Sequence, residues 1–387
     1  MVNDDTTVIL AAARTPIGRF NGGLADFSAP ALGGVAIKAA LERAGVAPDK
    51  IGQVILGHVL PAGSGQNPAR QAAVAGGVPM SVPSLSVNKV CLSGMTSVGI
   101  ADRFLRSGDC DFVVAGGMES MSQAPHLLPK SRRGFKYGDV TMLDHLAFDG
   151  LTDAYDGISM GESTERHVQK VGMDRAAQDE FALSSQERAV KGADARGEEI
   201  VPVETRKGVV SADENPRPET TLEGLSGLRA AFAKDGSLTA GNSSPMNDGA
   251  VALVLTTRSK AEEMGLDWES EILSYSTVSG PDNSLLEQPS NAIAAAAEAA
   301  GVSVGDLEAV EINEAFAAVA LASMEALGVD GEKVNRDGGS IALGHPLGAS
   351  GARLVQTLSR QLSSGQIGAA GLCGGGGQGD AVVLRAK

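Results

Sequence analysis

Two cysteines and a histidine have the types and settings for nucleophilic and acid–base chemistry. Cys91 lies in SVNKVCLSGM, between an apolar strand and a helix expected from about Gly94 to Ser107. A thiol at a helix N-terminus feels the positive end of the dipole, which is expected to lower its pKa and make it nucleophilic. On placement alone, that reading and the reading as a buried inert cysteine are evenly matched. His345 lies in GGSIALGHPLGASGARL. Pro346 fixes an extended conformation at His345, the glycines let other backbone approach, and imidazole is a natural general base near neutral pH. Cys373 begins CGGGGQG at a strand end. Glycines in a row expose backbone N–H groups that can hold an oxyanion; a tight glycine turn is the other reading. The string also fits GxGxxG, but that fingerprint needs a helix and a further strand, and GDAVVLRAK reads as a final strand. Asn313 opens NEAFAAVALASMEALG, where spacing alone predicts a helix N-cap. Cys110 starts an apolar strand and reads as core, and His58, His126, His145 and His167 show no catalytic spacing.

The elements that must position these residues come in two copies. Residues 36–54 (AIKAALERAGVAPDKIGQV) and 292–310 (AIAAAAEAAGVSVGDLEAV) match at nine of nineteen positions with a constant offset of 256. Each reads as a helix stopped by Gly, a short loop and an apolar strand. A second pair follows in the same order: Val87-Asn88 leads into the Cys91 segment, and Val334-Asn335 into the His345 and Cys373 segments. Strand, helix and strand alternate, which predicts mixed or parallel sheets covered by helices. Residues 121–246 differ in texture, being polar, charged and rich in Gly and Pro, and read as an insertion. The expected organisation is therefore a first half at 1–120 plus 247–268, an inserted loop domain at 121–246 and a second half at 269–387.

Composition narrows the function classes. The chain has 387 residues, enough for two or three domains. A net charge of −15 repels nucleic acid and anionic membrane. Three cysteines without a CxxC pair predict neither a disulfide framework nor zinc, and fit a reducing, cytoplasmic compartment. No apolar run is long enough for a membrane span, and the start MVNDDTTVIL lacks the features of a signal peptide.

Four segments together, VNKVCLSGM, NEAF, GHPLGASG and CGGGGQG, resemble the thiolase family, in the family's order and over nearly the whole chain. The resemblance implies an α/β fold in which two duplicated halves stack as five layers (αβαβα). It implies Cys91 as the acylated nucleophile, His345 as the base that activates it, and Cys373 as the group that exchanges a proton at the α-carbon of the second acyl group. Asn313 would hold a water that forms one oxyanion hole with His345; the N–H groups of Cys91 and Gly375 would form the other. Arg217, Ala240 and Ser244 match positions that contact coenzyme A, and Phe232, Met160 and Phe316 match positions beside its pantetheine or the acyl group. For the last three, core packing is the plainer reading. Arg132, Arg133 and Lys136 add local positive charge, or are simply a solvated loop. Ser159, Ala230 and Pro245 depart from the common family residues. The implied activity is that of an acetyl-CoA C-acetyltransferase, joining two acetyl-CoA into acetoacetyl-CoA and CoA or running the reverse, with no metal or redox cofactor. Alternatives are a broader 3-ketoacyl-CoA thiolase of fatty-acid β-oxidation and a catalytically silent CoA- or lipid-binding protein on the same scaffold. The resemblance also implies a homotetramer built from tight dimers.

Overall fold

The computed structural model describes residues 5–387. Its main strands are β1 (Thr7–Arg14), β2 (Gln53–Gly57), β3 (Ser84–Val87), β4 (Phe112–Ser120), β5 (Asn247–Thr257), β6 (Ser270–Ser279), β7 (Ala309–Ile312), β8 (Ile367–Gly374) and β9 (Gln378–Ala386). They lie in the order β7-β8-β9-β6-β1-β5-β4-β2-β3, and the short strand Gly18–Arg19 pairs with β5. The main helices are α1 (Ala29–Ala44), α2 (Pro68–Ala75), α3 (Ser93–Ser107), α4 (Met160–Val171), α5 (Arg175–Lys191), α6 (Gln288–Ala300), α7 (Ala317–Leu327) and α8 (Leu347–Gln361).

The sheet is two similar sheets meeting along a short seam, where β1 and β6 pair only through Val8↔Glu271 and Ile9↔Ser270. On one side β1, β5 and β4 are antiparallel and β4, β2 and β3 parallel. On the other, β6, β9 and β8 are antiparallel, β8 and β7 parallel, and Val334 bridges Val310 where a counterpart of β3 would fall. This repeats the duplication read from the sequence. The helix stops expected at Gly45 and Gly301 are there, both glycines in the left-handed region at φ 64° and 69°, where a Cβ is costly.

Burial then dictates layers. β1 and β5 are buried along their full length, so they read as continuous apolar runs and need cover on both faces. Helices α1 and α2 cover the first half's sheet, and α6 and α7 the second half's. Between the two sheets lie α3 and α8: Met95, Val98, Ala352 and Val355 share one core with Val113 and Leu253 of the first sheet and Leu372 and Leu384 of the second. The result is the five-layer αβαβα stack. Small residues let the middle layer close. A side chain on Gly57, Gly94 or Gly117 would run into the carbonyl oxygen of Gly348 in α8.

The insertion leaves and returns at one point. Ser120 at the end of β4 pairs directly with Asp248 in β5, and residues 121–246 lie between them. In the second half the equivalent link, β8 to β9, is only the turn 375–377, with Gly374 opposite Gln378. The insertion carries α4, α5 and two short hairpins. It reaches across to the second half, where Ser185 Oγ donates to Glu314 at 2.6 Å and Arg188 Nη1 to the Gly331 carbonyl at 2.9 Å.

Candidate active site

Cys91 sits in the turn from β3 to α3. The residue before it, Val90, has φ 52°, a left-handed conformation that costs a β-branched residue on the order of 1–3 kcal/mol. The surroundings hold it there. Asn88 Oδ1 accepts from Val90 N at 3.0 Å, while Ser93 Oγ accepts from Lys89 N at 2.8 Å and donates to the Val90 carbonyl at 2.6 Å. Lys89 Nζ reaches Asp380 Oδ1 in β9 at 2.7 Å, and buried Asp380 also accepts from Thr96 Oγ1 at 2.6 Å and the Tyr275 hydroxyl at 2.7 Å. The turn of one half is thereby pinned to a strand of the other.

The backbone N–H groups of Cys91 and Gly375 both reach the Cys91 sulfur. Even so, burial pushes the Cys91 thiol up to about 12, and the carboxylate of Glu119 adds to the rise. This corrects the expectation of a thiol activated by the helix terminus: taking the sulfur out of water outweighs the two N–H dipoles. Cys91 rests as a thiol. Cys373, at the end of β8, is 1% exposed. Its thiol is pushed well above the usual thiol range, first by burial and then by the proximity of Cys91.

His345 is 5% exposed. Its backbone N donates to Asn247 Oδ1 at 2.9 Å, and its Nδ1 lies 2.6 Å from Ser350 Oγ. Ser350 gives its single hydroxyl proton to the Pro346 carbonyl at 2.9 Å, so its oxygen accepts from Nδ1–H. That leaves Nε2 as the basic nitrogen, 3.5 Å from Asn313 Nδ2. Burial, with the charge of Arg353 second, lowers the imidazole pKa to about 4 and keeps the ring neutral at pH 7. Asn313 is fully buried, and its Oδ1 accepts from Ser340 Oγ at 2.5 Å, which turns the amide nitrogen towards His345. The N-cap expected at Asn313 is not formed. Helix α7 begins only at Ala317, after an extended Phe316 at φ −142°, because the NEAF segment is tied to another loop. Ser244 N donates to the Ala315 carbonyl at 3.0 Å and Ala317 N to the Asn242 carbonyl at 2.9 Å.

The remaining expected residues fall into two groups. Phe316 and Phe232 pack edge to face with centroids 6.0 Å apart, in the apolar cluster that contains Cys373 and borders Met160. The Met160 sulfur lies 3.8 Å from where a side chain on Gly375 would begin. Arg217 and Ala240 line a separate cavity of about 320 Å³ with Thr220, Leu225 and Leu228. Ser244 is not in that lining; its hydroxyl donates to the Ala315 carbonyl at 3.1 Å. Ser159, one of the departures, N-caps α4 by accepting from Glu162 N at 3.1 Å. Arg132, Arg133 and Lys136 are exposed. Sequence reasoning missed Ser340, Ser350 and Asn247, which hold the Asn313–His345 pair, and Glu119, buried near Cys91 with His58 beside its carboxylate. Ser350 was within reach, five residues after the histidine on a helix start; Glu119, in a strand far from all four segments, carried no signal.

Among the described residues no group of three or more His, Cys, Asp or Glu side chains is arranged to hold a metal ion, and no helix is long and apolar enough to cross a membrane. Two family models match the chain, the thiolase N-terminal domain over residues 7–259 and the thiolase C-terminal domain over 266–386. A protein of Mycolicibacterium smegmatis named as a probable acetyl-CoA acetyltransferase is 51% identical over 387 residues, covering 98% of this chain and 100% of that protein. Acetyl-CoA acetyltransferases of Cupriavidus necator and Schizosaccharomyces pombe are 47% and 42% identical, over 98% and 99% of this chain and 99% of each of theirs.

Proposed function

This chain belongs to the thiolase family, and on that premise we propose that it is an acetyl-CoA C-acetyltransferase. It condenses two acetyl-CoA into acetoacetyl-CoA and CoA, or runs the reverse thiolysis. The observation that carries this reading is the meeting of two backbone N–H groups, from Cys91 and Gly375, at the Cys91 sulfur with Cys373 beside it. The names of full-length relatives support acetyl-CoA as the acyl donor.

The Cys91 sulfur attacks the thioester carbonyl, the bond from that carbon to the CoA sulfur breaks, and the Cys91 proton passes through His345 to the departing CoA thiolate. Nε2 is the nitrogen free to take it, and the neutral imidazole is ready to do so. The Cys91 and Gly375 N–H groups face the sulfur, where oxyanion charge collects on the attacked carbonyl. In the second step Cys373 passes its thiol proton to His345 and, as thiolate, takes an α-proton from acetyl-CoA; His345 returns the held proton to the Cys91 sulfur when that sulfur leaves. The resulting carbanion attacks the acetyl carbon on Cys91, a carbon–carbon bond forms, and the Cys91 sulfur leaves. Asn313, holding a water with His345, stabilises the enolate oxygen. The order of steps has an electrostatic basis. Two adjacent thiolates oppose each other, and the thioester on Cys91 cannot ionise, so Cys373 is the one thiol of the pair left to become a thiolate. A thiol this reluctant to ionise is also the stronger base towards carbon once it has done so. The steps balance with side chains and substrates alone.

Arg217 holds the nucleotide end of CoA at the 320 Å³ cavity, whose lining also includes Ala240, with Ala240 and Ser244 along its pantetheine and Met160, Phe232 and Phe316 beside the pantetheine or the acyl group. The protein acts in a reducing cytoplasm as a homotetramer. Supporting this are three free thiols and the edge strand β3, which pairs on one side only and exposes Leu85.

The test is thiolysis of acetoacetyl-CoA beside a medium-chain 3-oxoacyl-CoA, with Cys91→Ser as control. Preference for acetoacetyl-CoA and a loss of about 10³-fold or more in the variant are expected. Equal or better use of the longer substrate replaces acetyl specificity with a broad-chain thiolase. Unchanged turnover in Cys91→Ser overturns the mechanism.

A further inference from the structure

Glu119, near the end of β4, is fully buried. Its Oε2 accepts from Val59 N at 3.0 Å and Gly348 N at 2.9 Å. Its Oε1 accepts from Leu60 N at 3.1 Å and lies 3.4 Å from His58 Nε2. The donors come from the two sides of the site. The Val59 carbonyl accepts from Asn88 Nδ2 at 3.3 Å, which ties it to the Cys91 turn, and Cys91 packs against the cluster of Val59, Leu60 and Leu347. Gly348 lies in the first turn of α8, three residues after His345. One carboxylate therefore grips backbone next to the thiol and backbone next to the imidazole.

We propose that Glu119 is a positioning residue that fixes the Cys91 sulfur relative to His345 by clamping together the loops that carry them. Three convergent N–H donors require an acceptor-only group; a glutamine would turn an NH2 into one of them. A carboxylate also suits the N-terminus of α8, where the helix dipole favours negative charge. The approach is close: a side chain on Gly348 would stand 2.7 Å from the Met118 carbonyl and 3.0 Å from Glu119 Oε2. A buried carboxylate is an expensive way to hold a core together, and an apolar residue would do that task better. What the carboxylate adds is fixed distance between two backbones.

The proposal rests on the reading of Cys91 as nucleophile and His345 as base, so the test includes a readout free of acyl transfer. At pH 8.5, where Glu119 is ionised, alkylation of Cys91 by iodoacetamide and thiolysis of acetoacetyl-CoA are measured for the full-length wild type, Glu119→Gln, His345→Ala and the double variant. In folded Glu119→Gln we expect kcat to fall about 10²-fold, as a misplacement near 1 Å does, with KM for CoA within about twofold and Cys91 alkylation slowed. In the His345→Ala background the same change should slow alkylation by less than about threefold, because the two act as one unit. A kcat within about threefold of wild type, or losses that multiply in the double variant, overturns the clamp. If Glu119→Gln does not fold, Glu119→Asp is read by the same criteria, since it keeps the charge but cannot span all three donors. Rapid alkylation of wild-type Cys91 without acyl transfer would sink the proposed function, and the alkylation cycle would still decide the clamp.

Discussion

A buried imidazole that refuses a proton makes the folded state sensitive to acid. His345 and His58 are both lowered to about 4 by burial, while in the unfolded chain each titrates near its ordinary value of about 6.5. Between these values the unfolded chain binds the extra proton. Each group therefore removes stability as pH falls from about 6.5 to 4, by up to about 1.4 kcal/mol per pH unit. Glu119, pushed up to about 7, acts in the opposite sense: its contribution is complete below about 4.5 and is lost as pH rises through 7. Urea denaturation of His345→Asn should accordingly show a shallower decline between pH 6.5 and 4 than wild type, and an unchanged slope would contradict a neutral buried ring. At this scale the sequence was uneven. Cys91 stood out by its place between a strand and a helix, and His345 and Cys373 by glycine-rich settings, because tight turns at strand ends need those glycines. The ionisation of Cys91 did not, since desolvation depends on what the rest of the chain lays over the thiol.

A strained turn is kept where relaxation would be easy. Val90 holds φ 52°, and its side chain lies about 3.5 Å from where one on Gly375 would begin, so it frames the same space as the Gly375 N–H. Val90→Gly removes the steric conflict. We expect its denaturation midpoint not to fall and its kcat to drop, measured by urea titration and thiolysis; a fall in stability with full activity would show that the conformation serves folding alone. Elements were the most legible level of this chain. The paired helix–Gly–strand units emerged as α1–β2 and α6–β7 because apolar periodicity and a glycine stop are local properties. Asn313 was misread as a cap because the NEAF segment takes its shape from Asn242 and Ser244, some 70 residues away in sequence, and no local pattern records that.

The middle layer binds the molecule into one cooperative body. Helix α3 belongs to the first half and α8 to the second, yet both pack against both sheets, so neither half can close its core alone. Residues 269–387 expressed by themselves should bind a hydrophobic dye and lack a cooperative unfolding transition; a sharp transition would show that the halves are independent. The stacking of the halves followed from the internal repeat and the bounds 121–246 from the change in texture, but that both ends of the insertion meet on one rung did not, because it depends on strand register. That attachment has a consequence for how such a protein can change. One rung of the ladder, Ser120 opposite Asp248, marks the exit and re-entry of residues 121–246, and the second half makes the same junction with three glycines. The long segment is a graft on a hairpin. It can be lengthened, shortened or exchanged for that of a relative without a strand changing register, so long as the bonds from Asn242 and Ser244 that shape the NEAF segment are kept.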